Sequence, residues 1–183
     1  FVLWRHVFIP WILGIRNIKW VFYSLELDSS QILARLASMW FKKEKNLKIN
    51  SNKILGIGDE LLTEDEKELL KECINSFIEP LCSKLTIITD KHESMPTAIH
   101  KAALSYASSN GIFITEDYFI DGERRSRRVG YKPNDPDENV TLIIDTLGLM
   151  KRERGFNKKE NVDKWLEDYC IDLRNICKYT IIN

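Results

Sequence analysis

Apolar and polar positions along the chain follow two alternating rhythms. Trp20–Leu25 (WVFYSL) is rich in aromatic and β-branched residues and predicts a buried strand. Just behind it, Asp28 with Gln31 has the form of a capping box, and Ile32, Leu33, Leu36, Met39 and Trp40 recur at helical spacing. The polar run KKEKNLKINSNK predicts a loop. Thr63 with Glu66 is a second capping box. It opens a helix that turns Leu69, Leu70, Cys73, Ile74 and Phe77 inward, with Pro80 just past its end. Leu85–Thr89 (LTIIT) predicts a second short strand. SMPTAIHKAALSYASSNG predicts a helix with Pro96 in its first turn and Asn110-Gly111 as its stop.

Between about Ile112 and Asn139 the rhythm changes. IFITEDYFIDGERRSRRVGYKP alternates around Asp121-Gly122, which is a hairpin signal, and KPNDPDEN is rich in turn residues. Val140–Asp145 (VTLIID) is then a continuous apolar strand that ends in an acid. KRERGFNKKE predicts a basic loop. Val162, Trp165, Leu166, Tyr169, Leu173 and Ile176 mark a long amphipathic helix, and YTIIN predicts a last strand. The first residues, FVLWRHVFIPWILGI, predict a core helix that Pro10 kinks or ends, with Trp4 and Trp11 in the core. Strands that are unbroken apolar runs, alternating with helices, signal a mostly parallel sheet covered on both faces. The expected class is α/β.

Composition narrows this picture only a little. With 183 residues, 44% of them hydrophobic, the chain can bury one full-sized core. Its formal net charge is zero, so any attraction to nucleic acid has to come from local patches. The apolar N-terminal run is too short to span a bilayer and is broken by Arg5 and His6, so no membrane partner is expected. Cys73, Cys82, Cys170 and Cys177 form no C-x-x-C and predict buried free thiols in a reducing compartment. His6, His92 and His100 have no metal-ligand spacing. The chain opens on Phe1 within a helical pattern and closes on a strand-like run. The expectation is a fragment of a longer protein.

Two acids stand out because of where they fall. In open parallel α/β sheets, ligands bind beyond the carboxyl ends of the strands. Glu26 and Asp145 both close an apolar strand run. LIIDTLGLM has the form of a Walker B strand, whose Asp orients Mg²⁺ beside nucleotide phosphates. A Glu on a neighbouring strand end is placed to take a proton from an attacking water. Each acid alone is also what a helix N-terminus favours.

The order and surroundings of these segments carry a resemblance. VFYSLELDSSQILARLASM resembles the segment that follows the Walker A helix in DnaB-like replicative helicases of bacteria and phages. LTEDEKELLKECINSFIEPLCSKLTIITDKHESMPTAIHKAALSYASSNG, VTLIIDTLGLM and NVDKWLEDYCIDLRNICKYTIIN are similar to successive later segments of that family. The resemblance is colinear over nearly the whole chain. It implies a RecA-like three-layer sandwich with a mostly parallel central sheet, present as a partial domain over residues 1–183 with an insert at about 112–139. It also implies that Glu26 is the catalytic base and Asp145 the Mg²⁺-associated acid. ATP and Mg²⁺ would be the cofactors and single-stranded DNA the partner. The parent, encoded by a bacterium or a phage, would be a homohexameric ring in the bacterial cytoplasm, meeting a primase or helicase loader. No G-x-x-x-x-G-K-[ST] occurs in the sequence. In the family that loop would immediately precede Phe1. The fragment alone is therefore expected to be catalytically silent.

Further candidates have two readings each. Lys151, Arg152, Arg154, Lys158 and Lys159 lie where such helicases often place a DNA-facing loop, or form a solvated loop. Glu123–Arg128 (ERRSRR) binds DNA or a neighbouring subunit, or is a charged hairpin tip. Tyr118, Phe119 and Tyr131 stack bases, or pair across strands. Arg35 is expected in a structural ion pair. The alternatives for the whole chain are another RecA-fold ATPase, of recombinase or circadian-clock type, and a non-catalytic RecA-like binding module. A flavodoxin-like binding domain would need a phosphate-binding turn that SLELDSS does not offer.

Overall fold

The computed structural model describes residues 2–89 and 95–145, together with 167, 169–171, 174 and 175. The expected strand at YTIIN, the basic loop and most of the last helix lie outside the described residues. Helix α1 covers residues 2–12 and contains a π-helical turn, Trp4–Phe8. Strand β1 (Ile18–Ser24) leads to α2 (Ser29–Glu44) and the short α3 (Ser51–Ile54). Helix α4 covers residues 64–82, and β2 is Leu85–Ile88. Helix α5 (Pro96–Ser109) is followed by the strands β3 (Gly111–Ile120) and β4 (Glu123–Pro133), and then by β5 (Asn139–Asp145).

The class is α/β, as the sequence predicts. Strands β2, β1 and β5 form a parallel sheet in that order, with β1 in the middle, and β3 and β4 form a separate antiparallel pair. Alternate residues of β1 serve opposite faces. Trp20 and Phe22 pack with Leu85 and Ile143 against Phe8 and Trp11 of α1, Leu36 and Trp40 of α2, and Phe77 of α4. On the other face Tyr23 meets Ile99 of α5 and Tyr169, while Val140 packs with Ala103 and Ala107. The sheet is thus covered on both sides by helices.

Both predicted capping boxes form. Asp28 accepts from the Gln31 backbone N–H at 2.8 Å, and the Gln31 side chain accepts from the Asp28 N–H at 3.1 Å. Thr63 and Glu66 pair the same way, at 3.3 and 2.8 Å. The loop expected after α2 is shorter than its polar composition implies, because α2 runs on to Glu44 and α3 follows at Ser51.

Neither Pro10 nor Pro80 ends its helix. Each follows a π-helical turn, Trp4–Phe8 in α1 and Ile74–Ile78 in α4. An α-helical proline removes one hydrogen bond and strikes the carbonyl four residues back. The wider π turn opens room for the ring, and the helix continues. In α1 the carbonyl that Pro10 leaves without an N–H is that of His6, and the buried Trp20 indole donates to it at 2.6 Å.

The hairpin appears where Asp121-Gly122 predicts it. Asp121 and Gly122 have φ of 52° and 82°, as a type I′ turn requires. At its base Gly111 is tightly constrained: an added Cβ would stand 2.3 Å from the Tyr131 ring. That ring packs edge-on to Phe113, and its hydroxyl donates to the Ala107 carbonyl at 2.8 Å, tying the arm to the end of α5.

Candidate functional site

The parallel register brings the ends of β1 and β5 together. Ser24 is the register partner of Asp145, and the Leu25 N–H donates to the Asp145 carbonyl at 2.9 Å. Adjacent strands lie about 5 Å apart, so Asp145 and the turn after Ser24 share one edge of the sheet. That turn is fixed by the buried Ser24. Its hydroxyl donates to the Leu27 carbonyl at 2.7 Å and accepts from the Leu27 N–H at 3.0 Å. Glu26 lies within this turn and is exposed, while Asp145 is half-buried. Asp145 continues the parity of Ile143, which belongs to the face shared by Phe22.

Helix α2 starts at the same edge. Asp28 caps it, and the Ser30 hydroxyl and the Gln31 backbone N–H hold the Asp28 carboxyl below the usual carboxylate range. Asp28 therefore takes up N–H groups at the start of the helix, and Glu26, which is exposed, lies just before the cap.

Two acids at one strand edge suit a magnesium ion, which keeps several waters and takes one or two carboxylates. Among the described residues no three His, Cys, Asp or Glu side chains gather to hold a metal by protein ligands alone. A metal at this edge would therefore take most of its ligands from water. The sequence has no glycine-rich phosphate-binding loop.

The other candidates separate. Lys151, Arg152, Arg154, Lys158 and Lys159 lie outside the described residues. In the hairpin, Arg127 Nη2 meets Glu116 at 2.8 Å and Arg124 Nε meets Asp117 at 3.1 Å. Arg128 stacks on Phe113 at 4.5 Å and Arg127 on Tyr118 at 5.7 Å. Two of the four arginines are thus committed to acids on the facing strand, and Phe113 and Tyr131 pair across strands. This pattern matches the charged-hairpin reading.

Some expectations change. Cys73 is buried as expected, but Cys82 and Cys170, also expected to be buried thiols, are exposed. Arg35 makes no ion pair among the described residues. Trp4, read as core, is 37% exposed, whereas Trp11 is buried. Trp4 and Arg35 instead line a common groove with Lys42 and Lys48. No sequence signal joins them, because they come together only through the packing of α1 on α2. Among the described residues no helix is long and apolar enough to cross a membrane.

Compared with family models, curated proteins and solved structures, the chain matches none.

Proposed function

We propose that this chain is part of a RecA-like ATPase module of a DnaB-like replicative helicase, which couples ATP hydrolysis to movement along single-stranded DNA. The observation that carries the reading is that Asp145 ends β5 while Glu26 lies in the turn just after β1, its parallel neighbour, at one carboxyl edge of the sheet. In this reading Glu26 accepts a proton from the attacking water. Asp145, a half-buried residue, would hold the water shell of the magnesium ion. Bound MgATP supplies the phosphoryl group and the charge that the metal neutralises. The Ser24–Leu27 hydrogen bonds hold Glu26 in place, which favours rigid positioning of the base.

The reading requires a phosphate-binding loop that this sequence does not contain. It also carries the proposals of a homohexameric ring, a cytoplasmic location and a primase or loader partner. Lys151, Arg152, Arg154, Lys158 and Lys159 are then proposed to meet DNA phosphates.

The test is made in the protein that joins these residues to such a loop. Glu26→Gln should retain ATP binding and lower turnover on the order of 10²-fold or more. Asp145→Asn should raise the Mg²⁺ concentration needed for half-maximal turnover. Unchanged hydrolysis in the Glu26→Gln protein removes Glu26 from the mechanism and overturns the reading.

A further inference from the structure

The groove of Trp4, Arg35, Lys42 and Lys48 lies away from the candidate ATP site. Lys42 stands near the far end of α2, roughly 20 Å along the axis from Ser29 at 1.5 Å per residue. The groove has a volume of about 530 Å³, within the range of ligand sites, and is also lined by Ser38, Met39, Ile49, Asn50 and Ser51. Three cations line it and no carboxylate does. Arg35, Lys42 and Lys48 have no ion-pair partner among the described residues. Among the described residues the Lys42 ammonium donates to the neutral Asn46 side chain, at 3.1 Å.

The shape is fixed from both sides. Ser38 on α2 donates to the Ile49 carbonyl, which holds the returning chain against the helix. Asn46 adopts a left-handed φ of 53° to make that return, and Asn50 caps α3. Across the groove Trp4 lies nearly parallel on Phe8, with centroids 4.9 Å apart and planes at 15°. One ring face is thereby taken, and Trp4 remains 37% exposed where it lines the groove.

We propose that this groove binds single-stranded nucleic acid, with a base stacked on Trp4 and phosphates met by Arg35, Lys42 and Lys48. A cationic groove beside a rigid aromatic face is the arrangement that sequence-tolerant strand binding uses. An acidic peptide fits less well. No strand edge lines the groove to pair with a peptide backbone. Only Trp4, Met39 and Ile49 are apolar among its residues, too few for the row of anchors that a docked helix needs. The proposal does not rest on the ATPase reading.

The experiment is a titration of the chain with an oligo-dT strand at low salt, read by tryptophan fluorescence and by strand anisotropy. The expected result is quenching that disappears in Trp4→Phe. Affinity should fall at least tenfold in Lys42→Glu/Lys48→Glu and weaken steeply with added salt. Circular dichroism establishes that each variant is folded, and Lys42→Gln/Lys48→Gln provides a milder second pair. Absence of binding overturns the proposal. So does binding that both lysine pairs and Trp4→Phe leave intact, which would place the strand elsewhere. Equal binding of a polyglutamate peptide of matched charge, competing with oligo-dT, would assign the groove to an acidic protein partner instead.

Discussion

At the scale of single residues, two buried side chains show how the interior is kept consistent. The Trp20 indole satisfies the carbonyl that Pro10 strands in α1, so one side chain both fills the core and repairs a backbone defect. Trp20→Phe should leave that carbonyl without its partner and destabilise the fold by about 1–3 kcal/mol, measured by chemical denaturation. Neither half of this pairing is legible in sequence. Pro10 reads as a break because the proline rule is local, and the rescuing donor arrives from β1. Cys73 is fully buried, and burial with a smaller contribution from Glu72 pushes its thiol up to about 12. An acid whose folded pKa is raised keeps its proton in the native state while the unfolded thiol, with its ordinary pKa near 8.5, has lost it. Above that pH the folded state is progressively disfavoured until pH passes about 12. At pH 8 Cys73 should resist thiol reagents on a timescale set by unfolding, while the exposed Cys82 reacts first. Equal labelling rates for the two would contradict the packing of α4.

At the scale of elements, caps were the most legible feature, because Asp28-x-x-Gln31 and Thr63-x-x-Glu66 specify their own hydrogen bonds. Thr63→Ala should cost about 1 kcal/mol, visible as a lowered denaturation midpoint. Asp28, Glu64 and Glu66 share a titration consequence. Hydrogen bonds hold each carboxyl below its ordinary value, chiefly from Ser30 to Asp28, from Lys67 to Glu64 and from Lys53 to Glu66. For an acid with a depressed folded pKa, the stabilisation is present above the unfolded value near 4 and is lost as pH falls through the folded one. Stability should therefore drop on acidification below about pH 4, and the drop should shrink in Asp28→Asn/Glu66→Gln. The hairpin was equally legible at Asp121-Gly122. Its bulge went unread: Val129 is the extra residue of β4, between the pairs Ile114–Gly130 and Thr115–Arg128, and the in-strand Gly130 beside it was the only local signal. Cutting the arm back to Ile114 and Gly130, joined by Asn-Gly, retains the Phe113–Tyr131 pair. It should change stability by less than about 0.5 kcal/mol, because the ion pairs removed are exposed.

At the scale of the molecule, the alternation of apolar strands with amphipathic helices was enough to read an α/β sheet covered on both faces. It put Asp145 at the end of β5, whereas Glu26, read as closing a strand, falls two residues past β1 in the turn after Ser24. It could not give the strand order. That order brings Asp145 beside the turn that holds Glu26, and it depends on which runs pair with β1. The groove at Trp4 was hidden for a related reason, since its residues come from α1, α2 and the chain that returns after α2, whose contacts no periodicity encodes. The central place of β1 has one more consequence, for the time course of folding. Both of its neighbours come from later in the chain, β2 beyond α4 and β5 beyond the hairpin. Pairings this distant in sequence form slowly, while a hairpin closes in about 1–10 μs. The arm should thus be complete long before β5 docks. A chain released before Asn139 has been made would hold β1 with one flank open, ready to accept a strand from another molecule.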